Sequence, residues 1–221
     1  MAGRHRRDGG ASVDIGSFPW SGVGLDGSRL RRRGGRHSKE DSGLEGNLTT
    51  GVMFICTGNI VRSAYAELKS GELTQRPMAF SSRGVRAVLS QNLHPQMKNH
   101  ILYPANHVSQ QATAQALRNS CLILAMERAH LEWIAEEAPD AAGRAFLLTH
   151  VAATLEKTPP AVPLHPVELA AYLKTIHVKV PDKPDVDDPI YGTAEDFAQC
   201  AGRLDTLLHS ILPWLSLGTW S

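Results

Sequence analysis

The feature that most restricts this chain is a junction at residues 52–63. There Val52-Met53-Phe54-Ile55 runs straight into Cys56-Thr57-Gly58-Asn59-Ile60-Val61-Arg62-Ser63. Four consecutive apolar residues read as a buried strand, and Ala64, Leu68 and Leu73 then recur at spacings suited to a helix. The loop between them is expected at the carboxyl end of the strand, where ligands of open α/β sheets gather. A loop wrapping into a helix N-terminus aims several backbone N–H groups at one point, and the helix dipole adds positive potential. That geometry suits a phosphate dianion. Gly58 lets the backbone approach closely, and Asn59 tolerates a left-handed conformation. Arg62 offers a planar fork that holds two phosphate oxygens at once. Cys56, expected at the mouth of the loop, lies in the same field, which favours its nucleophilic thiolate, and Ser63 is placed to donate a hydrogen bond to it. A cysteine after a strand is ordinarily a small buried hydrophobe. Here Gly-Asn and an arginine six residues on favour chemistry.

The rest of the chain is consistent with one α/β domain. Apolar runs at 78–80, 122–126 and 145–148 supply three more strands. Helical patterning appears around 94–102, 109–119, 127–138, 165–177 and 193–215, the last with Phe197, Leu204, Leu208, Ile211 and Leu215 on one stripe. Strands alternating with helices imply a parallel sheet covered on both faces, a three-layer α/β/α domain over 48–221. Residues 1–47 differ in kind. They hold 11 of the 19 glycines, nine Arg/Lys and six Asp/Glu, a composition expected to stay disordered. The arginines at 29, 31, 32, 33 and 36 read as a solvated tail, and Phe18-Pro19-Trp20 is a small apolar island within it. A net charge of +1 argues against a nucleic-acid-binding role. Three scattered cysteines, Cys56, Cys121 and Cys200, suit a reducing, cytoplasmic setting, with the last two expected as core packing. No apolar run approaches the length of a membrane span, and the ten histidines show no pairing that demands explanation.

Strand–CxGNxxRS–helix resembles the signature of the low-molecular-weight protein-tyrosine phosphatases. The likeness continues at Asp187-Asp188-Pro189-Ile190-Tyr191-Gly192, similar to that family's Asp-Pro loop, with Cys56 and Asp188 separated by 132 residues. Ser82 to Val85 and Leu122 to His130 resemble the intervening segments. The resemblance implies a flavodoxin-like fold of the phosphotyrosine protein phosphatase I type with a four-stranded parallel sheet. It also implies hydrolysis of phosphate monoesters, most of all protein phosphotyrosine, through a phosphocysteine on Cys56. Arg62 would steady the transferring group and Asp188 would act as general acid, with Asp187 an open alternative for that role. Thr57, Gly58, Asn59, Ile60, Val61, Ser63 and Tyr191 would bind substrate and phosphate. No metal or cofactor is expected; the partner is a phosphotyrosine-containing protein as substrate, and the enzyme is expected as a monomer.

Two departures matter. The family commonly has a second cysteine just before the arginine, and here that place is Val61, so no protective disulfide with Cys56 is expected. The residue after Ser63, often proline, is Ala64. Relatives that act on phosphoarginine tend to carry threonine where Ile60 stands, so Ile60 favours tyrosine. Tyr191 on one side and Val88 with Leu89 on the other are expected as walls of a slot about as deep as a phenol ring. A thioredoxin-coupled arsenate reductase shares the fold and loop, but its chemistry needs two further cysteines close together, and Cys121 and Cys200 are 79 residues apart. The remaining alternative is a binding module that holds the anion without turnover.

Overall fold

The structure is a computed structural model, and it describes residues 50–74, 78–102 and 106–216. The expected extension over 1–47, with its arginine run and its Phe18-Pro19-Trp20 island, lies outside the described residues. The sheet has four parallel strands in the order β2-β1-β3-β4. These are β1 (Thr50–Cys56), β2 (Phe80–Gly84), β3 (Ser120–Ala125) and β4 (Ala145–Leu147). β1 is central, and alternation along it divides the core. Val52, Phe54 and Cys56 face one apolar cluster, and Met53 and Ile55 face the other. Burial on both faces is why β1 and β3 read as continuous apolar runs.

Helices α1 (Arg62–Leu73), α2 (Pro95–Lys98), α6 (Leu148–Lys157), α7 (Pro166–Thr175) and α8 (Ala194–Ile211) cover the first face. Helices α3 (Ala114–Arg118), α4 (Arg128–Glu137) and α5 (Pro139–Ala142) cover the second. The helix read over 193–215 ends at Ile211, where Pro213 leads into a 3-10 turn; Phe197, Leu204, Leu208 and Ile211 on α8 lie in the core, and Leu215 joins them from beyond that turn. A hydrogen bond of 2.8 Å from the Tyr65 hydroxyl to Asp205 Oδ1 ties α1 to α8. Cys121 and Cys200 are buried, as expected of core packing.

Four elements depart from the pattern. The strand read at 78–80 begins only at Phe80 and continues through the polar Ser81-Ser82-Arg83-Gly84, which an edge strand tolerates because one side lacks a partner. The helix read over 109–119 starts at Ala114, capped by Thr113. The residues before it are drawn out instead by Gly84, whose N–H donates to Gln110 O and whose carbonyl accepts from Ala112 N. The helix read over 94–102 is the single turn α2. Helix α6 was not legible because it follows β4 without a loop, and β4 is only three residues long.

The chain leaves β1 for β2 on one side and returns to β3 on the other. The strand order therefore reverses at the carboxyl ends of β1 and β3, where a crevice opens.

Candidate active site

Residues 57–61, between β1 and α1, form a loop in that crevice. Each of its carbonyls, and that of Cys56, is engaged from elsewhere. Cys56 O accepts from Val85 N, Thr57 O from Arg86 N and Gly58 O from Val88 N, at 2.9, 2.9 and 3.0 Å. Asn59 O pairs with His107 Nε2 at 2.8 Å, Ile60 O with His94 N at 2.8 Å, and Val61 O with Tyr65 N at 2.9 Å. In a trans peptide the carbonyl and the next N–H point in opposite directions. Carbonyls held outward therefore turn the N–H groups of residues 57–62 toward the concave side. Asn59 N donates to Cys56 Sγ at 3.3 Å, and the N–H groups of Gly58, Ile60 and Val61 find no acceptor among the described residues. A ring of converging, unpaired donors is an anion cradle.

Asn59 builds this curvature. Its φ of 56° is left-handed, as its place in the sequence suggested. Its side chain is fully buried, with Nδ2 donating to Ser82 Oγ (2.7 Å) and Ser63 Oγ (3.1 Å), and Oδ1 accepting from Gln110 N (2.8 Å). Ser82 Oγ donates in turn to Glu67 (2.6 Å), which faces His107 Nδ1 at 3.4 Å, and His107 returns to the Asn59 carbonyl. The polar ring closes on itself, so each buried group is satisfied and the strained residue is over-determined. His107 was not singled out in the sequence. Nothing in one chain marks a histidine 48 residues away as the loop's support.

Gly84 explains how closely the loop lies on β2. A Cβ there would stand 2.6 Å from Thr57 O and 3.0 Å from both Asn59 N and Ala87 Cα, all backbone atoms that cannot step aside. Gly84→Ala is therefore expected to cost about 1–3 kcal/mol and to distort the cradle. Thermal unfolding with kcat/KM toward p-nitrophenyl phosphate checks it: both fall, and a variant matching wild type in both contradicts the packing described.

The sulfur differs from expectation. Cys56 is 2% exposed, so it lies at the floor of the cradle rather than at its mouth, because residues 57–62 wrap over it. Ser63 Oγ is 2.9 Å from Sγ, as the sequence suggested. Arg62 differs too. Its guanidinium is buried, with Nη2 2.5 Å from Asp188 Oδ2, while Nη1 meets a Glu127 carboxylate oxygen and donates to Val186 O at 2.8 Å. Its Nε has no hydrogen-bond partner among the described residues. Burial alone would depress the arginine's pKa, but the charges of Cys56, Asp188 and Glu127 outweigh that and hold it in its charged form.

Asp188 reaches the cradle because Val186 N donates to Met126 O at 2.8 Å, pinning the Asp-Pro loop to the end of β3. Beyond the loop, Thr193 and Asp196 form a capping box that starts α8. The two adjacent aspartates separate cleanly. The Asp188 side chain, 31% exposed, turns to Arg62; that of Asp187, 95% exposed, faces Arg203 at 3.8 Å. A methyl group on Gly58 would touch Ile60 Cγ1 at 3.5 Å and Val88 Cγ2 at 3.6 Å, so those two side chains lie close to the loop at residue 58. Leu89 is exposed beside Val88. Tyr191, expected as the opposite wall, is 99% exposed on the crest of the Asp-Pro loop and packs on neither. Glu127, missed in the sequence, is legible afterwards as the N-cap of α4, two residues past the carboxyl end of β3, the strand beside β1.

A left-handed asparagine, inward amides, a cysteine at the floor and a buried arginine beside it, at an α/β switch point, define a class of site, the phosphate cradle built around a thiol. The sequence pattern of the family described as low molecular weight phosphotyrosine protein phosphatase matches residues 51–163, and this chain belongs to that family. It is 32% identical over 106 residues to the low molecular weight protein-tyrosine-phosphatase Wzb of Escherichia coli K12, covering 45% of this chain and 69% of that protein. The probable phosphatase AmsI of Erwinia amylovora is likewise 32% identical, over 104 residues, covering 45% and 71%. The crystal structure of Wzb from E. coli K30 in complex with phosphate superposes with a TM-score of 0.53 at 25% identity, covering 72% of this chain and 92% of that one. The YwlE arginine phosphatase of Geobacillus stearothermophilus shares the fold, with a TM-score of 0.55 at 21% identity, covering 73% and 89%. The Asp188 loop, α7 and α8 lie beyond the matched segment. No helix among the described residues is long and apolar enough to cross a membrane.

Proposed function

We propose that this chain hydrolyses protein phosphotyrosine through a phosphocysteine on Cys56, with Arg62 as the phosphate clamp and Asp188 as the acid. The observation that carries the reading is the ring of carbonyls held outward around residue 56, which leaves its amides for a tetrahedral anion. The incoming phosphate takes the place of the Asp188 carboxylate on Arg62 Nη2, and the unpartnered Nε supplies the second prong of a bidentate grip. Displaced and protonated, Asp188 stands at the opening, where a leaving oxygen emerges. The Cys56 thiolate attacks phosphorus, the S–P bond forms, and the P–O bond to tyrosine breaks as Asp188 gives its proton to the departing oxygen. Water then attacks phosphorus, its proton passes to Asp188, and the S–P bond breaks to restore the thiolate. Charge on the transferring group is met by donors already in place.

Ile60 and Val88 give the opening apolar flanks, which favour an aryl ester whose ring reaches down to the floor. A sulfur this deep lies beyond the reach of phosphoserine. The arsenate reductase alternative gains no support, because burial raises the pKa of Cys121 and pushes that of Cys200 up to about 12, leaving both poor nucleophiles. The enzyme acts as a cytoplasmic monomer on this reading. A phosphopeptide panel tests the specificity: phosphotyrosine is turned over well ahead of phosphoserine and phosphoarginine. Preference for phosphoarginine would overturn it.

A further inference from the structure

We propose that His130 is a positioning residue for the phosphate cradle, acting through a hydrogen bond from its Nε2–H to the Thr57 hydroxyl. The inference rests on the phosphate-binding part of the proposed function and adds to it a residue from outside the loop. His130 Nε2 lies 3.1 Å from Thr57 Oγ1, and Thr57 directly follows the nucleophile. The tautomer is set on the other side of the ring. Glu127 N donates to His130 Nδ1 at 3.1 Å, so the imidazole proton belongs on Nε2 and points at the threonine. The ring is buried, and that burial pushes its pKa down to about 4, with Arg62 adding to the effect and Glu127 opposing it. It is therefore neutral in ordinary conditions, with one proton to give and one lone pair already taken. Both nitrogens are committed within the protein, so the ring holds a position and has no proton to pass to substrate.

What it holds follows from the first turn of α4. Glu127 is the N-cap and His130 the third helical residue, and the capping-box pair is closed by Glu127 N donating to His130 Nδ1 and His130 N donating to the Glu127 carbonyl, both at 3.1 Å. From this one turn two arms reach across the end of the sheet. The Glu127 carboxylate takes Arg62, at the far end of the phosphate loop, and the His130 imidazole takes Thr57, at its beginning. The loop is thus gripped at both ends by residues three apart on a single helical turn. That spacing fixes the distance between the arginine fork and the first amides of the cradle. A valine at position 57 would keep the shape and lose the grip.

The test compares Thr57→Val, Thr57→Ser, His130→Ala and the Thr57→Val/His130→Ala pair. Two readouts are taken: kcat and KM for p-nitrophenyl phosphate, and inorganic phosphate affinity by calorimetry. Thr57→Val is expected to weaken phosphate binding and kcat/KM by about 3–10-fold, the value of one hydrogen bond. Thr57→Ser recovers most of that loss. His130→Ala, which also breaks the capping box, is the more damaging single change, and the double variant is no worse than it. A Thr57→Val enzyme with unchanged phosphate affinity, a serine as impaired as the valine, or losses that multiply in the double variant would each overturn the proposal. Phosphate binding needs no turnover. A wild-type chain that binds phosphate without hydrolysing the ester would defeat the phosphatase reading while leaving this one standing.

Discussion

Cys56→Ser is expected to hydrolyse p-nitrophenyl phosphate on the order of 10⁴–10⁶ times more slowly than wild type, while inorganic phosphate still binds. The two halves of that result have different physical sources. Turnover needs a nucleophile that is ionised near neutral pH and lies in line with the leaving oxygen. A serine hydroxyl at the same floor, beside Ser63 and the Asn59 amide, has no base next to it to take its proton. Binding is done by the amides of residues 57–62 and by Arg62, and these owe their direction to carbonyls fixed by Val85, Arg86, Val88, His94 and His107. None of those contacts passes through sulfur. Retained turnover would show that chemistry happens elsewhere. Lost binding would show that the sulfur organises the cradle rather than lying in it.

The second large effect is at Asp188. Asp188→Asn is expected to lower kcat by about 10²–10⁴-fold, more for phosphotyrosine than for p-nitrophenyl phosphate, whose leaving group needs a proton less. The same change should tighten inorganic phosphate binding. Arg62 is flanked by two carboxylates, and Asp188 holds the Nη2 that phosphate would take on the proposed mechanism. Asparagine removes the competing negative charge and leaves the guanidinium to the incoming anion. The pH dependence separates this from a general loss of structure. With the acid gone, the alkaline limb of the kcat/KM profile flattens, because there is no longer a proton on residue 188 to be lost. Asp187→Asn, at a carboxylate that faces Arg203 and solvent, should do none of this. Equal losses at both positions would mean that the loop as a whole, rather than one carboxylate, carries the effect.

Much of this site could be read before any coordinates. The Cys56–Ser63 segment carries its own geometry: a glycine for close approach, an asparagine for positive φ, an arginine for the fork, and a strand and a helix to place them. Asn59 at φ 56° and Ser63 against the sulfur were legible for that reason. What failed to show was everything that depends on distance through space. Glu127, His107 and His130 support the loop from 48 to 73 residues away in sequence. A single chain gives no signal that an ordinary glutamate after β3 will meet Arg62. The depth of Cys56 was misjudged because a loop drawn as a line has a mouth and no floor. Tyr191 follows the Asp-Pro motif, which suggests a wall, but its 99% exposure shows only that no described residue covers it. The fold was legible where alternation and helical stripes were long, as in α8. It was lost where β4 and α6 run together without a turn.

Covalent catalysis is tested most directly by trapping. Asp188→Asn, slow to bring water against the intermediate, is mixed with p-nitrophenyl phosphate, quenched and mapped by mass spectrometry. One phosphoryl group on the peptide holding residues 56–62, bonded to the sulfur, is the expected result. Turnover with no adduct there, or a phosphoryl group carried by any other side chain, would contradict the account.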